Sequence, residues 1–255
     1  MKVNIEDLTF IIPIRLDSVI RIENLLATVN HIYNNCITNI FILESAPFYN
    51  GIIKCLLGDR VKYQFVKDLD PIFHRTKYRN ILTEQVETPY LAVWDADVII
   101  SIEQIIESIK ALRSNNYDIS FPYNGEFLDT TFFIRALYFE KCCDFDILYR
   151  NQKRMYLLYG NKHKGGAFLA NTKKYREAGS ENESFYGWGP EDYERFERWK
   201  VYKYNIYNAS GVSFHLSHSR DINGKFNSSF QKDFSRSELR KTKLSTLEEF
   251  SSNCK

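Results

Sequence analysis

The chain has 255 residues, of which 44% are hydrophobic, so it can form one domain with a sizeable core. Its 34 basic and 32 acidic side chains nearly cancel to a net charge of +2, which excludes the strong positive field by which proteins attract nucleic acid. There is no run of about 18 uninterrupted apolar residues, so no membrane span is predicted.

The N-terminal residues include Lys2, Glu6 and Asp7 and do not resemble a signal peptide. The five cysteines have no spacing typical of a metal site and are an odd number, so we expect reduced thiols. These features predict a cytoplasmic protein, and they leave open a peripheral association with the inner face of the membrane.

The first part of the chain alternates short apolar runs with segments of helical spacing. Strands are predicted at 8–14, 39–43, 61–66 and 90–94, and helices at 18–33, 76–86 and 102–112. This alternation is typical of an α/β fold with a mostly parallel sheet. Ligands of such sheets bind beyond the carboxyl ends of the strands, where Arg15, Glu44 and Asp95 lie. A binding site is therefore predicted at that edge.

The alternation weakens after residue 115. A helix is predicted at 132–154, an apolar run at 167–170, a helix at 190–199, and strands at 202–207 and 212–215. Residues 225–255 are polar and predict a peripheral helix or a partly ordered tail. We therefore expect one domain over 1–224, followed by this C-terminal segment.

Two carboxylates, Asp95 and Asp97, follow the hydrophobic strand that ends at Trp94. Residues two apart in an extended chain face the same side, so both can address one ligand. Their oxygen atoms suit Mg²⁺ or Mn²⁺ that bridges the phosphates of a nucleotide. Aspartate is also common in turns, and this pair by itself does not decide between the two interpretations.

Residues 187–192 (GWGPED) combine an aromatic side chain with acidic residues at a helix start. Flanking glycines expose the indole of Trp188 for stacking on a sugar ring. Glu191 and Asp192 fall in the first helical turn, where the helix dipole favours the charged form needed by a general base. The alternative interpretation is an ordinary acidic helix start behind a packed tryptophan.

The histidines His215 and His218 follow an apolar run and are three residues apart. They can bind one metal together, although a single histidine on an apolar face is usually structural. With carboxylate as the other donor and no cysteine nearby, Mn²⁺ is favoured over structural zinc.

A basic cluster precedes the helix predicted at 76–86. Arg75 can bind a diphosphate through its planar guanidinium, whereas Lys77 and Arg79 are expected on a solvated helix face. No phosphate-binding P-loop or dinucleotide-binding glycine motif occurs.

The order of these motifs resembles that of the GT-A glycosyltransferases of the β-1,4-galactosyltransferase and chondroitin-polymerase-like group, related to glycosyltransferase family 2. The similarity extends over residues 8–224. It is carried by six short segments: IPIR at 12–15, FHRTK at 73–77 with Asn80, WDAD at 94–97, GGAF at 165–168, GWGPED at 187–192, and HSRD at 218–221.

The resemblance implies roles for matching residues. Those implied to contact the nucleotide or donor sugar are Pro13, Arg15, Phe73, Arg75, Asp95, Asp97 and Trp188. Glu44 is also expected to bind the donor, because it lies at the end of a predicted strand. Implied metal ligands are Asp97, His218 and His215, the last standing where vertebrate members have methionine. Asp192 matches the catalytic base, and the acceptor side comprises Trp188, Gly189, Glu191 and Asp192.

The resemblance implies an inverting, Mn²⁺- or Mg²⁺-dependent transfer of a hexose from a UDP-sugar to a glycan or lipid-linked glycan acceptor. Galactose or N-acetylgalactosamine is the sugar it implies, and a bacterial surface polysaccharide is the expected product. Pro190 and Tyr193 depart from the group's pattern beside the sugar pockets. The alternatives are a non-catalytic nucleotide- or carbohydrate-binding module on the same fold, a nucleotidyltransferase and, less well supported by the ligand set, a metal-dependent hydrolase.

Overall fold

The computed structural model describes residues 2–219 and 222–253. Strands in the described part are β1 (Val3–Ile14), β2 (Cys36–Ala46), β3 (Lys62–Lys67), β4 (Tyr90–Trp94), β5 (Val98–Ile99), β6 (Ile119–Phe121), β7 (Phe127–Asp129), β8 (Tyr156–Leu158), β9 (Ala167–Asn171), β10 (Ile206–Asn208) and β11 (Ser213–His215). Helices are α1 (Val19–Asn35), α2 (Ile52–Leu57), α3 (Arg75–Glu84), α4 (Ile102–Arg113), α5 (Thr131–Glu140), α6 (Phe145–Arg150), α7 (Thr172–Glu177), α8 (Glu191–Val201), α9 (Ser229–Leu244) and α10 (Leu247–Asn253).

The central sheet has seven strands in the order β10-β6-β9-β4-β1-β2-β3. Neighbouring strands are parallel except at β9, which runs antiparallel to both β4 and β6. Strand β1 is fully buried from Leu8 onward because it lies inside the sheet with helices over its faces, which explains its continuous apolar sequence. The predicted α/β class with a mostly parallel sheet is confirmed.

A smaller sheet of four strands, in the order β5-β11-β7-β8, lies beside the carboxyl end of β4. In it, β11 pairs antiparallel with β5, so that His215 lies opposite Val98. The backbone N–H of Leu216 also donates to the carbonyl oxygen of Asp97 at 2.8 Å. These contacts join the segment after β4 to the histidine segment, although more than 100 residues separate them.

The prediction of a single helix at 132–154 is wrong, because two helices occupy this range. Helix α5 ends at Glu140 and α6 begins at Phe145. Between them, Cys142 and Cys143 have φ of 54° and 60°, a left-handed conformation that cannot continue an α-helix. Asp144 then caps α6 by accepting a hydrogen bond from the N–H of Asp146.

The segment after residue 224 is mostly helical over its described residues. Helix α9 packs along α8, where the Thr242 hydroxyl donates to Glu194 at 2.9 Å and Ser235 is fully covered. The segment is therefore connected to the rest of the fold by specific contacts, while the domain boundary at 224 stays a prediction. Within the described ranges no helix is both long and apolar enough to cross a membrane.

Candidate active site

A cavity of about 450 Å³ lies at the carboxyl ends of β1 and β4. The residues predicted for the site that line it are Pro13, Arg15, Phe73, Arg75, Asp95, Asp97, Trp188, Gly189, Asp192, His215 and His218. Two predicted residues, Glu44 and Glu191, are buried and do not line the cavity. Glu44 lies within the sheet and accepts a hydrogen bond from the Tyr63 hydroxyl at 2.5 Å, and Glu191 forms an ion pair with Arg75 behind the cavity wall.

Asp97, His215 and His218 form a cluster that could hold a metal ion. One ligand atom from each residue lies within 4.8 Å of the others. Nε2 of His215 and Nε2 of His218 are 3.8 Å and 3.1 Å from the Asp97 carboxylate oxygens. A carboxylate with two imidazoles is a donor set typical of Mn²⁺ and other divalent cations. The residues that the sequence predicted as metal ligands thus meet at one point.

The other nitrogen of each histidine has its own partner, which directs Nε2 toward Asp97. Nδ1 of His215 is 2.8 Å from the Asp129 carboxylate, which also accepts a hydrogen bond from the Ser217 hydroxyl at 2.6 Å. Nδ1 of His218 is 2.8 Å from the carbonyl oxygen of Ser219, an atom that can only accept. Such outer partners fix the ring orientation of metal-binding histidines, so the cluster fits a bound cation. Arg220 and Asp221 of the HSRD segment lie outside the described residues.

Asp97 is charged despite its burial. Burial alone raises the pKa of Asp97, but His215, the contact with His218 and the guanidinium of Arg21 outweigh it and hold the pKa below its ordinary value. Arg21, in the first turn of α1, donates from Nη1 to Asp97 at 2.7 Å and lies 3.1 Å from Nε2 of His218. This arginine belongs to none of the motifs described in the sequence.

Asp192 lies in the first turn of α8 with its carboxylate at the cavity. Its Oδ1 accepts from Nη2 of Arg195 at 2.8 Å and from Nη1 of Arg79 at 3.4 Å. Its Oδ2 faces Gly165, where a Cβ atom would lie only 2.3 Å from that oxygen. Position 165 therefore has to be glycine for Asp192 to keep this orientation, which gives a physical reason for the glycine pair in the sequence.

The arginines around Asp192 keep it ionised. Burial raises the pKa of Asp192, but Arg195, Arg79 and Arg75 together lower it well below the ordinary aspartate value. The expectation that Arg79 faces solvent is wrong: it is 1% exposed and also bonds Asp95 at 2.9 Å. Lys77, on the opposite side of α3, is exposed as expected.

Two further arginines, Arg15 and Arg75, line the cavity. Arg15 donates to the carbonyl oxygens of Ser45 and Asp70 and to the Asp68 carboxylate, so its guanidinium is fixed by the protein. Phe73 packs against that guanidinium, 5.7 Å from its ring centre. Arg75 is paired with Glu191 and is 3.7 Å from Asp95, so it stands at the cavity beside the first aspartate of the predicted metal motif.

The tryptophan loop at 187–189 is held by α9. Gln231 donates through Nε2 to the carbonyl oxygens of Tyr186 and Trp188 at 2.6 Å and 2.9 Å. Gly187 has φ of 76°, and a Cβ there would approach Ile72 to 2.9 Å, so a glycine is required. The Trp188 ring meets Phe226 edge to face at 4.7 Å. Arg236 and Leu239 of α9 line the same cavity.

The central sheet and the small second sheet define the class of fold: the chain is an α/β domain of the GT-A type, with the cluster of Asp97, His215 and His218 at the edge of its central sheet. In comparisons with solved structures, 416 chains match. One is the crystal structure of the catalytic domain of Drosophila β1,4-galactosyltransferase 7 in complex with xylobiose, with a TM-score of 0.56 and 15% sequence identity over 94% of this chain and 81% of that chain.

At the level of sequence, no protein-family profile and no curated protein matches the chain. The resemblance inferred from the six sequence segments is thus confirmed as a likeness of fold. Its consequences for activity depend on the site itself.

Proposed function

We propose that the chain is a metal-dependent, inverting glycosyltransferase that moves a hexose from a UDP-sugar to the hydroxyl group of a glycan acceptor. The observation that carries the proposal is the meeting, in one cavity of a GT-A fold, of a metal-binding cluster and a separate ionised carboxylate. The cluster is Asp97 with His215 and His218, and the separate carboxylate is Asp192.

Asp192 is the proposed general base. Its Oδ2 is not among the atoms bonded by Arg195 and Arg79, so it can take the proton from the acceptor hydroxyl. The acceptor oxygen forms a bond to the anomeric carbon while the bond from that carbon to the diphosphate oxygen breaks. The electron pair of the broken bond leaves with the nucleoside diphosphate. Because the pKa of Asp192 is low, proton transfer is expected to occur as the acceptor attacks rather than before it.

The other proposed roles follow from position. A divalent cation bound by Asp97, His215 and His218 would supply charge that stabilises the leaving diphosphate. Arg75, held by Glu191, presents a second positive charge to the same group. Trp188 offers its ring to a sugar, and Phe73 with Pro13 borders the donor side. These assignments rest on the cavity lining and on the resemblance in motif order.

The finer identity is proposed from resemblance. We take galactose or N-acetylgalactosamine as the sugar, Mn²⁺ or Mg²⁺ as the cation, and a glycan or lipid-linked glycan of a bacterial surface polysaccharide as the acceptor. The matched Drosophila structure is a complex with xylobiose, which supports a saccharide acceptor for this fold. For localisation we propose the cytoplasm, with peripheral attachment to the membrane.

A panel of nucleotide sugars tests the proposal. Thermal unfolding is followed with each nucleotide sugar in the presence of Mn²⁺, Mg²⁺ or a chelator, and transfer to saccharide acceptors is followed by mass spectrometry. The proposal predicts stabilisation by UDP-sugars that requires the cation, together with a glycosylated product. Stabilisation without transfer to any acceptor would favour a non-catalytic binding module, and stabilisation by no nucleotide sugar would refute the proposal.

A further inference from the structure

The guanidinium of Arg21 contacts the atoms of the metal-binding cluster themselves. Its Nη1 donates to Oδ2 of Asp97 at 2.7 Å and lies 3.1 Å from Nε2 of His218. Nε2 of His218 also lies 3.1 Å from Oδ2 of Asp97, so the guanidinium, the carboxylate and the imidazole meet at one point. Nδ1 of His218 is 2.8 Å from the carbonyl oxygen of Ser219, so Nε2 is the nitrogen directed at this point.

Arg21 and a divalent cation cannot both use these atoms. An unprotonated imidazole nitrogen has one lone pair, which is given either to an N–H group or to a metal. Arginine also keeps its charge at every working pH, so a cation bound at the cluster is repelled by a guanidinium that stays beside Asp97. Binding of a cation therefore requires Arg21 to leave Asp97 and His218.

Two observations indicate where the side chain goes. Nε of Arg21 is buried without a hydrogen-bond partner, and Arg21 lines the same cavity as Arg15 and Arg75. A buried N–H group without an acceptor destabilises the protein, and this cost disappears when an acceptor forms a hydrogen bond with it. Arg21 also stands in the first turn of α1, which has no acidic residue and whose dipole favours an anion. The planar fork of a guanidinium matches the oxygens of a diphosphate.

We infer that Arg21 couples the binding of the cation to the binding of the nucleoside diphosphate. It neutralises Asp97 before the cation binds, and afterwards it donates to the diphosphate. A cation that binds alone breaks the hydrogen bonds of Arg21 without replacing them, whereas a cation that binds with the diphosphate restores them. Each ligand therefore raises the affinity for the other. The inference rests on the proposed function, because it takes the cluster as a metal site and a diphosphate as its ligand.

Manganese titrations test the inference without an activity assay. Free Mn²⁺ is measured by electron paramagnetic resonance, with and without UDP, for the wild type, Arg21→Met and Arg21→Lys. Arg21→Met should bind Mn²⁺ alone more tightly, and the factor by which UDP raises its Mn²⁺ affinity should fall by about fivefold or more. Arg21→Lys keeps the charge without the fork and should give intermediate values.

A matched control is Arg113→Met, which removes an arginine paired with Asp7 away from the cavity lining and should leave both affinities unchanged. Thermal unfolding of each variant shows that it is folded. Equal Mn²⁺ affinities and equal effects of UDP in the wild type and in Arg21→Met would overturn this inference and leave the metal site standing. Absence of Mn²⁺ binding in the wild type, with and without UDP, would overturn the proposed function as well.

Discussion

Asp97 is buried and Asp192 half-buried at the cavity, and both have a pKa below the ordinary value, but different partners lower it. Asp97 is surrounded by two histidines and one arginine, a setting that suits a carboxylate that would bind a cation together with the two histidines. Asp192 is bonded by Arg195 and Arg79, which are almost fully buried and hold one of its oxygens in place. The difference suits the two tasks proposed for these carboxylates, cation binding for Asp97 and proton acceptance for Asp192.

Asp129 is not among the residues proposed to bind the metal, but replacing it should still weaken metal binding. It orients His215 through Nδ1, and outer partners of this kind change metal affinity by about 10- to 100-fold. Asp129→Asn should therefore weaken Mn²⁺ binding by at least about tenfold. Calorimetric titration with Mn²⁺ measures this, and Asp118→Asn, at an exposed hydrogen bond to the backbone of Asn205, should have no effect. An unchanged Mn²⁺ affinity in Asp129→Asn would show that His215 is not a ligand or needs no support.

The residues missed in the sequence are those whose partners lie far away along the chain. Arg21 is 76 residues from Asp97, and Asp129 is 86 residues from His215. Neither belongs to a short motif, so only the fold reveals the contact. One physical signal was available for Arg21: a cation in the first turn of a helix opposes the helix dipole, which hints at an anionic partner.

At the level of elements, the strand β4 and the helices α1, α3 and α4 follow from hydrophobic spacing. β4 was predicted at its observed bounds, because it is a continuous apolar run ended by aspartate. The break between α5 and α6 was not predicted, because the left-handed conformation of Cys142 and Cys143 is one that non-glycine residues rarely adopt. The Asp144 cap was the only local sign of it.

Helix α9 should control the tryptophan loop. Gln231 is the side chain that ties this helix to the backbone of Tyr186 and Trp188, and each such hydrogen bond contributes about 1 kcal/mol. Gln231→Ala should raise the KM for the nucleotide sugar roughly tenfold, because the loop is no longer held at the cavity. Steady-state kinetics measure the change, and Gln152→Ala, outside the cavity lining, is the control. A KM equal to that of the wild type would mean that α9 does not position the loop.

For the whole molecule, the carboxylates of the site link stability to pH. The pKa values of Asp68, Asp97 and Asp192 lie below the ordinary value of 3.8. A carboxyl group with a lowered pKa binds fewer protons when folded, so its stabilisation is complete above the ordinary pKa and is lost as the pH falls toward the folded value. Glu191, whose pKa is raised by burial, acts in the opposite sense.

We therefore expect a melting temperature that falls steeply as the pH drops from about 5 to about 3. Thermal unfolding followed by circular dichroism across this range checks it. In Asp68→Asn the melting temperature should fall less steeply with decreasing pH than in the wild type. Asp146→Asn, which changes an exposed pair with Arg150, is the control and should leave this fall unchanged. A melting temperature that stays constant to pH 3 would contradict the expected role of these carboxylates.

Also at the scale of the whole molecule, the α/β class and the meeting of motifs at one sheet edge were predictable, since the carboxyl ends of parallel strands converge there. The second sheet was not predictable from the sequence. It forms because β11, which was predicted as a strand at 212–215, pairs with β5 and β7, and these two strands of two and three residues leave almost no pattern in a sequence. Yet this sheet brings His215 opposite Val98, beside Asp97, and so completes the cluster.

The most direct test of the account is sugar transfer by the wild type and by Asp192→Asn, measured by mass spectrometry with a UDP-sugar, Mn²⁺ and a saccharide acceptor. Asparagine keeps the shape but cannot take the proton, so transfer should fall by about 10²- to 10⁴-fold while UDP and Mn²⁺ still bind. Asp146→Asn, on the surface, should transfer as the wild type does. Transfer by Asp192→Asn at the wild-type rate, or cation-independent transfer by the wild type, would contradict the account.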